Sequence, residues 1–308
     1  MSKTLAIVGA GRVGRALGSA LCERGWRIGA VVTRSRATAR AAVRAIGGGK
    51  PQPNAWPELF AANVILFALP DRAIEGVAQK LAAVGANLRV RPRTSEKQAG
   101  KGRHMGLPLR GKIVLHTSGS LSHAVLEPLR VAGAAIGAMH PMQTFGLGAR
   151  TRLDGVVFGL DGDARALRVA RQIVRSLGGI PVNVKPQRKV IYHLSGAFAA
   201  PHLLAVLETG VRILMQAGYS RKQATHALCF MAQQNIANIE RYGARRAWTG
   251  PLPRGDWGTV AKHIAALRHF PPEYKQAYVA IARLAARNLA RSPRKMLREL
   301  GKVLGLRF

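Results

Sequence analysis

The stretch LAIVGAGRVG, residues 5–14, decides the fold of this chain. Its four apolar residues predict a short buried strand, and apolar residues at helical spacing follow the glycines. A G-x-G-x-x-G spacing between a strand and a helix is typical of a dinucleotide-binding turn. Gly9 permits the tight turn, Gly11 leaves room for a pyrophosphate, and Gly14 lets the helix approach the strand.

The same turn predicts the first cofactor contacts. A helix N-terminus offers unpaired N–H groups and the positive end of the helix dipole to phosphates. A Gly-rich turn without a ligand is the alternative interpretation. The residues predicted to contact the cofactor here are Gly9, Gly11, Arg12, Val13 and Gly14.

The end of the second predicted strand indicates which dinucleotide binds. An acidic residue usually stands there and holds the ribose 2′-OH of NAD. Asp and Glu are absent between Glu23 and Glu58, so that contact is missing. Guanidinium and hydroxyl groups suit a 2′-phosphate, although arginine is abundant throughout this chain. We therefore predict NADP as the cofactor, with contacts from Thr33, Arg34, Ser35 and Arg36.

Length and composition limit the class of protein. With 308 residues, 48% of them hydrophobic, the chain is long enough for two packed domains. Cys22 and Cys229 alone cannot form a disulfide framework, which fits a reducing cytoplasm, and no Cys/His spacing predicts a metal site. The N-terminus lacks a signal-peptide pattern, and no uninterrupted apolar run reaches the ~20 residues of a membrane span. We expect a cytoplasmic protein without a membrane partner.

The net charge of +34 raises the question of nucleic-acid binding. Both parts of the chain are basic, since residues 1–186 carry +19 and residues 187–308 carry +15. Zinc-finger spacings and RNP aromatic signatures are absent, and only 6% of the residues are aromatic. We therefore expect no specific nucleic-acid partner, and a nucleic-acid-associated protein is the less favoured alternative.

The pattern along the chain predicts two domains. Strands alternate with helices up to about Val184, which is typical of a doubly wound parallel Rossmann sheet. Residues 85–111 interrupt this pattern with a basic segment that predicts a surface loop. From Lys185 onward only helical patterns occur. We predict a Rossmann-like NADP-binding domain over residues 1–186 and an all-α substrate and dimerisation domain over residues 187–308.

Polar residues follow several predicted strands at their carboxyl ends, where doubly wound folds bind ligands. Imidazoles and hydroxyls at this edge could orient a carbonyl or imine and donate a proton. Capping and turn formation are the alternative roles for each of these residues. The predicted catalytic residues are His140 and His193, with Ser118 assisting. Further predicted cofactor contacts are Leu69, Pro70 and Thr117.

Several motifs resemble those of a bacterial family with a Rossmann-like N-terminal half and a C-terminal domain of unknown function. These are the Gly-rich turn, NVILFALPD (63–71), HTSGS (116–120), HPMQTF (140–145), YH (192–193) and TGPLPRGD (249–256), in that order. The family is similar to pyrroline-carboxylate reductase, ketopantoate reductase and the β-hydroxyacid dehydrogenases. The resemblance implies an NADP-binding domain followed by a helical domain that often dimerises.

This chain departs from the family pattern in two places. The basic segment 85–111 is an insertion, and Pro201-His202 stands where many relatives have Ser-Asn. A dehydrogenase-type Lys–Asn catalytic pair is therefore not carried over. The resulting prediction is an NADP(H)-dependent oxidoreductase that transfers a hydride to or from a small carbonyl or imine compound, and an anionic compound is one alternative for this substrate. A non-catalytic NADP-binding or regulatory protein is the alternative, and a homodimer through the helical domain is expected in either case.

Overall fold

A computed structural model describes residues 4–53, 56–87, 109–146 and 151–305. The chain divides into two compact units, Met1–Ala200 and Pro201–Phe308. The division lies later than the predicted boundary after residue 186. The reason is local, because the helix that begins at Lys189 buries this residue in the first unit.

The first unit is built on one sheet of eight strands in the order β3-β2-β1-β4-β5-β6-β7-β8. The order reverses between β1 and β4, which is the switch point at which doubly wound sheets bind ligands. The strands are β1 Thr4–Val8, β2 Arg27–Thr33, β3 Lys50–Pro53, β4 Val64–Phe67, β5 Ile113–His116, β6 Ala135–Pro141, β7 Val157–Gly162 and β8 Ile180–Asn183.

The sheet confirms the predicted doubly wound fold but is not parallel throughout. Strand β7 runs antiparallel to β6, with His140 opposite Gly159. Every other neighbouring pair is parallel. A parallel connection needs a crossover of a dozen or more residues, usually a helix, and the described residues between β6 and β7 form none. This reversal was not predicted.

Helices cover both faces of the sheet, so the central strands are buried on both sides, as their apolar sequences require. The helix after β2 is capped by Gly47, whose φ of +81° is the left-handed conformation that glycine adopts readily. The helices of this unit are α1 Arg12–Glu23, α2 Arg36–Ile46, α3 Asp71–Asn87, α4 Glu127–Val131, α5 Ala164–Ser176 and α6 Lys189–Ala197.

Two local features differ from the sequence prediction. Strand β3 was not predicted, because its sequence KPQP has two prolines and no apolar alternation. The apolar spacing of residues 121–131 predicts one helix, but the chain forms a 3₁₀ turn, His123–Leu126, followed by the short α4, with Pro128 in its first turn. Most of the predicted loop 85–111 lies outside the described residues.

The second unit is helical. Val260, Ala282 and Leu300 form its small buried core, one residue from each of three helices. Asp256 caps one of these helices by accepting a hydrogen bond from the Thr259 N–H at 3.1 Å. The helices are α7 Leu203–Gln216, α8 Arg221–Tyr242, α9 Ala244–Ala247, α10 Pro251–Arg254, α11 Trp257–Ala266, α12 Pro272–Leu289 and α13 Pro293–Leu304.

Helix α6 continues into α7 through a π-helical segment, Phe198–His202, that contains Pro201. Proline lacks the N–H that an α-helical turn would use, and a wider turn accommodates this loss. The segment Pro186–Gln216 is long and apolar enough to cross a membrane, and none of its most apolar window is buried. Pro201 and His202 interrupt its apolar sequence, so no uninterrupted apolar run of ~20 residues occurs there.

Candidate active site

The Gly-rich turn has the geometry that a dinucleotide phosphate requires. Gly9 has a φ of +85°, and a Cβ there would lie 2.5 Å from the Ala68 carbonyl oxygen. A Cβ on Gly14 would collide with the Gly9 carbonyl. A Cβ on Gly11, by contrast, would meet no atom within 4 Å. The fold therefore requires glycine at positions 9 and 14, while the space above Gly11 is open to a ligand.

Other predicted cofactor residues lie around this turn. Leu69 follows β4 and reaches Gly9, where a Cβ would lie 2.6 Å from Leu69 Cδ2. Arg12 begins α1 and donates from Nη1 to the Phe145 carbonyl oxygen at 3.4 Å. A cavity of about 720 Å³ adjoins this helix start, and its lining includes Gly11, Arg12, Arg15, Ser19 and Arg152. These arginines provide positive charge beside the turn.

The hydroxyls after β2 bond mainly to one another. Ser35 caps α2 by accepting from the Thr38 N–H at 3.2 Å, and Thr33 donates to the Ser35 carbonyl oxygen at 2.9 Å. The side chains of Arg34 and Arg36 are exposed at the same turn. The turn thus holds two guanidinium groups at the surface, while its hydroxyls mainly fix its shape.

A second cluster lies where β6 meets α6. His140 Nδ1 is 3.0 Å from the Tyr192 hydroxyl, and the rings of His140 and His193 lie 5.7 Å apart between centroids. A Cβ on Gly119 would collide with His193 and lie 2.7 Å from His140 Nε2. Because Gly119 lacks a side chain, both rings can approach the HTSGS segment. The structure therefore brings the two predicted catalytic histidines together.

His140 is neutral at physiological pH. Burial lowers the pKa of His140 to about 4, and the positive charge of Lys189 adds to this effect. A neutral imidazole can donate one hydrogen bond and accept another. His140 therefore suits orienting a polar group better than delivering a proton from a charged ring. His193, which is exposed, retains access to solvent protons.

Lys189 is the site residue that sequence reasoning missed. It is only 1% exposed, and its Nζ donates to the Ser118 carbonyl oxygen at 3.2 Å. Burial lowers the pKa of this ammonium group, whereas the carboxylates of Asp161 and Asp71 raise it. The chain contains 48 Lys and Arg residues, and no local pattern distinguishes Lys189 from the others.

Ser118 lies in a hydrogen-bonded turn next to Lys189. Its hydroxyl accepts from the Leu121 N–H at 3.0 Å and lies 3.4 Å from the Ser120 hydroxyl. Ser120 donates in turn to Asp71 Oδ2 at 2.6 Å. The Ser118 side chain, predicted to assist catalysis, therefore has a structural role in this turn, and its carbonyl oxygen positions Lys189. Asp71 is the first residue of α3, where the helix dipole favours a negative charge.

Two further groups fix the segment that follows β5. His116 is fully buried, accepts from the Ser118 N–H through Nδ1, and pairs through Nε2 with the Ser122 carbonyl oxygen. Burial lowers the pKa of His116 to about 4, so the ring stays neutral. Thr117, predicted to contact the cofactor, donates its hydroxyl to the Phe67 carbonyl oxygen at 3.4 Å. These contacts assign both residues a structural role.

A buried carboxylate lies on the other side of this segment. Asp161 Oδ1 accepts from the His123 N–H at 2.9 Å and lies 2.8 Å from His123 Nδ1. Its second oxygen is buried and has no hydrogen-bond partner among the described residues. This negative charge favours the charged form of Lys189. Within the described ranges, no group of His, Cys, Asp and Glu could hold a metal ion.

Comparison with protein families matches the two parts of the chain separately. Residues 2–95 match the model of the Rossmann-like domain. Residues 156–285 match the model of the Domain of unknown function (DUF2520). These matches confirm the resemblance that the motifs indicated. A search of curated proteins finds no match.

Solved structures share this architecture at low sequence identity. A Bacteroides fragilis protein regarded as an NADP oxidoreductase has a TM-score of 0.68 at 17% identity, covering 91% of this chain and 96% of that one. A Streptomyces aurantiacus imine reductase has a TM-score of 0.62 at 15% identity, covering 98% of this chain and 99% of that one. Plasmodium falciparum pyrroline carboxylate reductase with NADP bound has a TM-score of 0.57 at 12% identity, covering 89% of this chain and 95% of that one. At these identities the likeness establishes a common fold.

Proposed function

We propose that this protein is an NADP(H)-dependent oxidoreductase that reduces a small imine or carbonyl compound. The observation that carries the proposal is the pairing of two features in one unit. A Gly-rich turn leaves space for a phosphate above Gly11. A buried ammonium group and two adjacent imidazoles lie beyond the carboxyl ends of the same sheet. The proposal is supported by structural neighbours named as an NADP oxidoreductase, a pyrroline carboxylate reductase with NADP bound and an imine reductase.

NADPH, when bound, supplies a hydride to the carbon of the C=N or C=O bond. The chain itself must then stabilise the negative charge that develops on the nitrogen or oxygen and provide a proton. The carboxylates of Asp161 and Asp71 favour the ammonium form of Lys189, and its attraction for a developing negative charge is strong because little water screens it. His140 would orient the polar atom as a neutral donor. His193, with access to solvent, would supply the proton.

Tyr192 supports this arrangement. Burial raises the pKa of its hydroxyl, which therefore stays protonated and available as a donor. The hydroxyl lies beside His140, and the ring lies below Lys189, whose Nζ is 5.8 Å from the ring centroid. Such a cation–π contact favours the ammonium over the neutral amine. Tyr192 is thus a positioning residue for both groups.

The experiment has two stages. A nicotinamide-fluorescence titration with NADPH and NADH tests cofactor binding, and we expect NADPH to bind much more tightly. A screen of cyclic imines, keto acids and aldehydes, followed by NADPH absorbance, then tests turnover. Tight NADPH binding without turnover of any compound would support the alternative of a non-catalytic NADP-binding protein. Failure to bind either dinucleotide would overturn the proposal.

A further inference from the structure

The second unit contains a cavity of its own, formed by residues at the starts and ends of its helices. Its volume is about 720 Å³, which is within the range of cavities that hold small ligands. One side is formed by residues between Arg245 and Trp257, a segment that includes most of α9 and all of α10. The other side is formed by the junction between α12 and α13, residues 289–299.

Basic side chains dominate this cavity. Arg245, Arg246 and Arg291 are exposed, and no carboxylate in the part of the chain that the structure describes pairs with them. Arg254 and Lys295 also line the cavity. Clustered like charges repel, which destabilises the compact unit unless an anion screens them. The cluster therefore favours an anionic ligand.

The only acidic lining residue does not balance these charges. Glu299 accepts hydrogen bonds from Lys302 Nζ at 3.0 and 3.1 Å. Arg298 lies 3.8 Å from the same carboxylate. Because its charge is already balanced outside the cluster, Glu299 leaves the cavity strongly positive.

Two indole rings line the same cavity. Trp248 and Trp257 are both partly exposed. Neither indole N–H has a hydrogen-bond acceptor among the described residues, so each can donate to a ligand. Tryptophan faces stack on planar rings, and arginine pairs with phosphate through two parallel hydrogen bonds. Together the two residue types fit a ligand that has both a planar ring and phosphates.

We propose that this cavity in the second unit binds a free nucleotide, with its phosphates on the arginines and its base against Trp248 or Trp257. The site is separate from the Gly-rich turn, and the inference does not depend on the proposed reductase activity. A 720 Å³ cavity accommodates one nucleotide rather than a length of strand.

Isothermal titration calorimetry with ATP, tripolyphosphate and adenosine tests the proposal. We expect ATP to bind more tightly than tripolyphosphate and far more tightly than adenosine. The double variant Arg245→Gln/Arg291→Gln should weaken ATP binding about tenfold or more, because two charged hydrogen-bond donors are lost. Trp248→Leu should weaken ATP binding while leaving tripolyphosphate binding unchanged. Circular dichroism checks that each variant is folded.

The matched control is Arg287→Gln/Arg294→Gln, which removes the same charge from exposed positions outside the cavity. Its ATP affinity should stay within about twofold of the wild type. If both double variants weaken ATP binding equally, the arginines act only through general charge attraction, and the proposal is overturned. Tripolyphosphate binding as tight as ATP would exclude a nucleotide site. If a five-nucleotide single-stranded DNA binds more tightly than ATP, the ligand is a nucleic-acid strand and the proposal of a free nucleotide is wrong.

Discussion

At the scale of single residues, Gly11 is a position where a substitution can test cofactor binding without disturbing the fold. A Cβ at this position meets no protein atom, and its φ of −71° suits any residue. We therefore expect Gly11→Val to fold normally and to lose NADPH binding, since the side chain would occupy the place of the pyrophosphate. Gly76→Val on α3 is the matched control, because a Cβ there is also unobstructed. Unchanged NADPH affinity of Gly11→Val would contradict the predicted binding mode.

The catalytic assignment makes a second prediction at this scale. His140→Ala, His193→Ala and Lys189→Met should each lower turnover by about 10²–10⁴, while NADPH affinity changes by only a few-fold. Steady-state kinetics on a substrate from the screen, together with cofactor titrations, provide the measurement. Lys185→Met removes an exposed lysine just before α6 and should have no effect. If all three site variants retain wild-type turnover, the cluster is not catalytic.

His116 predicts a pH dependence of stability. Its pKa is about 4 in the folded chain and 6.5 in the reference state. As the pH falls from 6.5 to 4, the unfolded chain gains a proton that the folded chain does not, so the free energy of unfolding decreases. For this group the decrease is of order 3 kcal/mol.

Urea unfolding at several pH values measures this effect. His116→Asn should lower stability at pH 7 by about 1–3 kcal/mol, because the Ser122 carbonyl loses its partner. It should also make the dependence below pH 6.5 shallower, and the part that His140 contributes should remain. The exposed His226 provides the control substitution His226→Asn, which should leave both properties unchanged. A pH profile identical to the wild type in His116→Asn would refute the assignment.

At the scale of elements, the turn between β2 and α2 is expected to determine cofactor choice. Arg34 and Arg36 are exposed there, and no carboxylate in that stretch of sequence could hold a free ribose. Two charged hydrogen bonds at about 1.5–3 kcal/mol each favour NADPH by on the order of a hundredfold or more.

The double variant Arg34→Ala/Arg36→Ala tests this prediction. It should bind NADPH much more weakly and NADH almost as before, and added salt should reduce the wild-type preference. Fluorescence titrations at two ionic strengths measure both effects. Arg40→Ala/Arg44→Ala on the same helix is the control. Equal affinity of the wild type for NADH and NADPH would refute the specificity.

The elements also show where sequence reasoning succeeds. The Gly-rich turn and the buried runs of β4 and β5 were predictable, because local geometry and double-sided burial leave a strong signal. The reversed direction of β7 and the existence of the proline-rich β3 were not predictable. Both depend on pairing with a neighbouring strand, which leaves no local sequence pattern. The roles of Lys189 and Asp161 in the site come from contacts with residues that are distant in sequence. No local pattern indicates that α6 buries a lysine beside the HTSGS segment.

At the scale of the whole molecule, the hairpin of α7 and α8 predicts a homodimer. Only Val211 and Ala224 are buried in these two helices. Patches of this kind mark interfaces, and a second copy would cover the same face on both chains. The large exposed apolar residues of the hairpin are Leu203, Leu204, Val206, Ile213, Tyr219, Phe230, Met231, Ile236, Ile239 and Tyr242.

Analytical ultracentrifugation at several concentrations tests this prediction. We expect a dimer in the wild type and a monomer in Phe230→Glu/Ile239→Glu. Replacing the exposed basic residues Lys262 and Lys275 of the same unit by Glu should leave the dimer intact. A monomeric wild type that floats with anionic vesicles would instead show that a membrane covers the apolar face. A monomer without vesicle binding would leave no role for the hairpin as an interface.

The small core of the second unit has a consequence for how this protein behaves in a cell. Val260, Ala282 and Leu300 are the fully buried centre of a small cluster, whereas ten large apolar side chains of the α7–α8 hairpin are exposed. If a second copy covers this face, as predicted above, part of the stabilisation of this unit comes from the partner, and folding and assembly then form one equilibrium governed by mass action. Dilution would act as a denaturant, and the abundance of the protein would set its fraction folded.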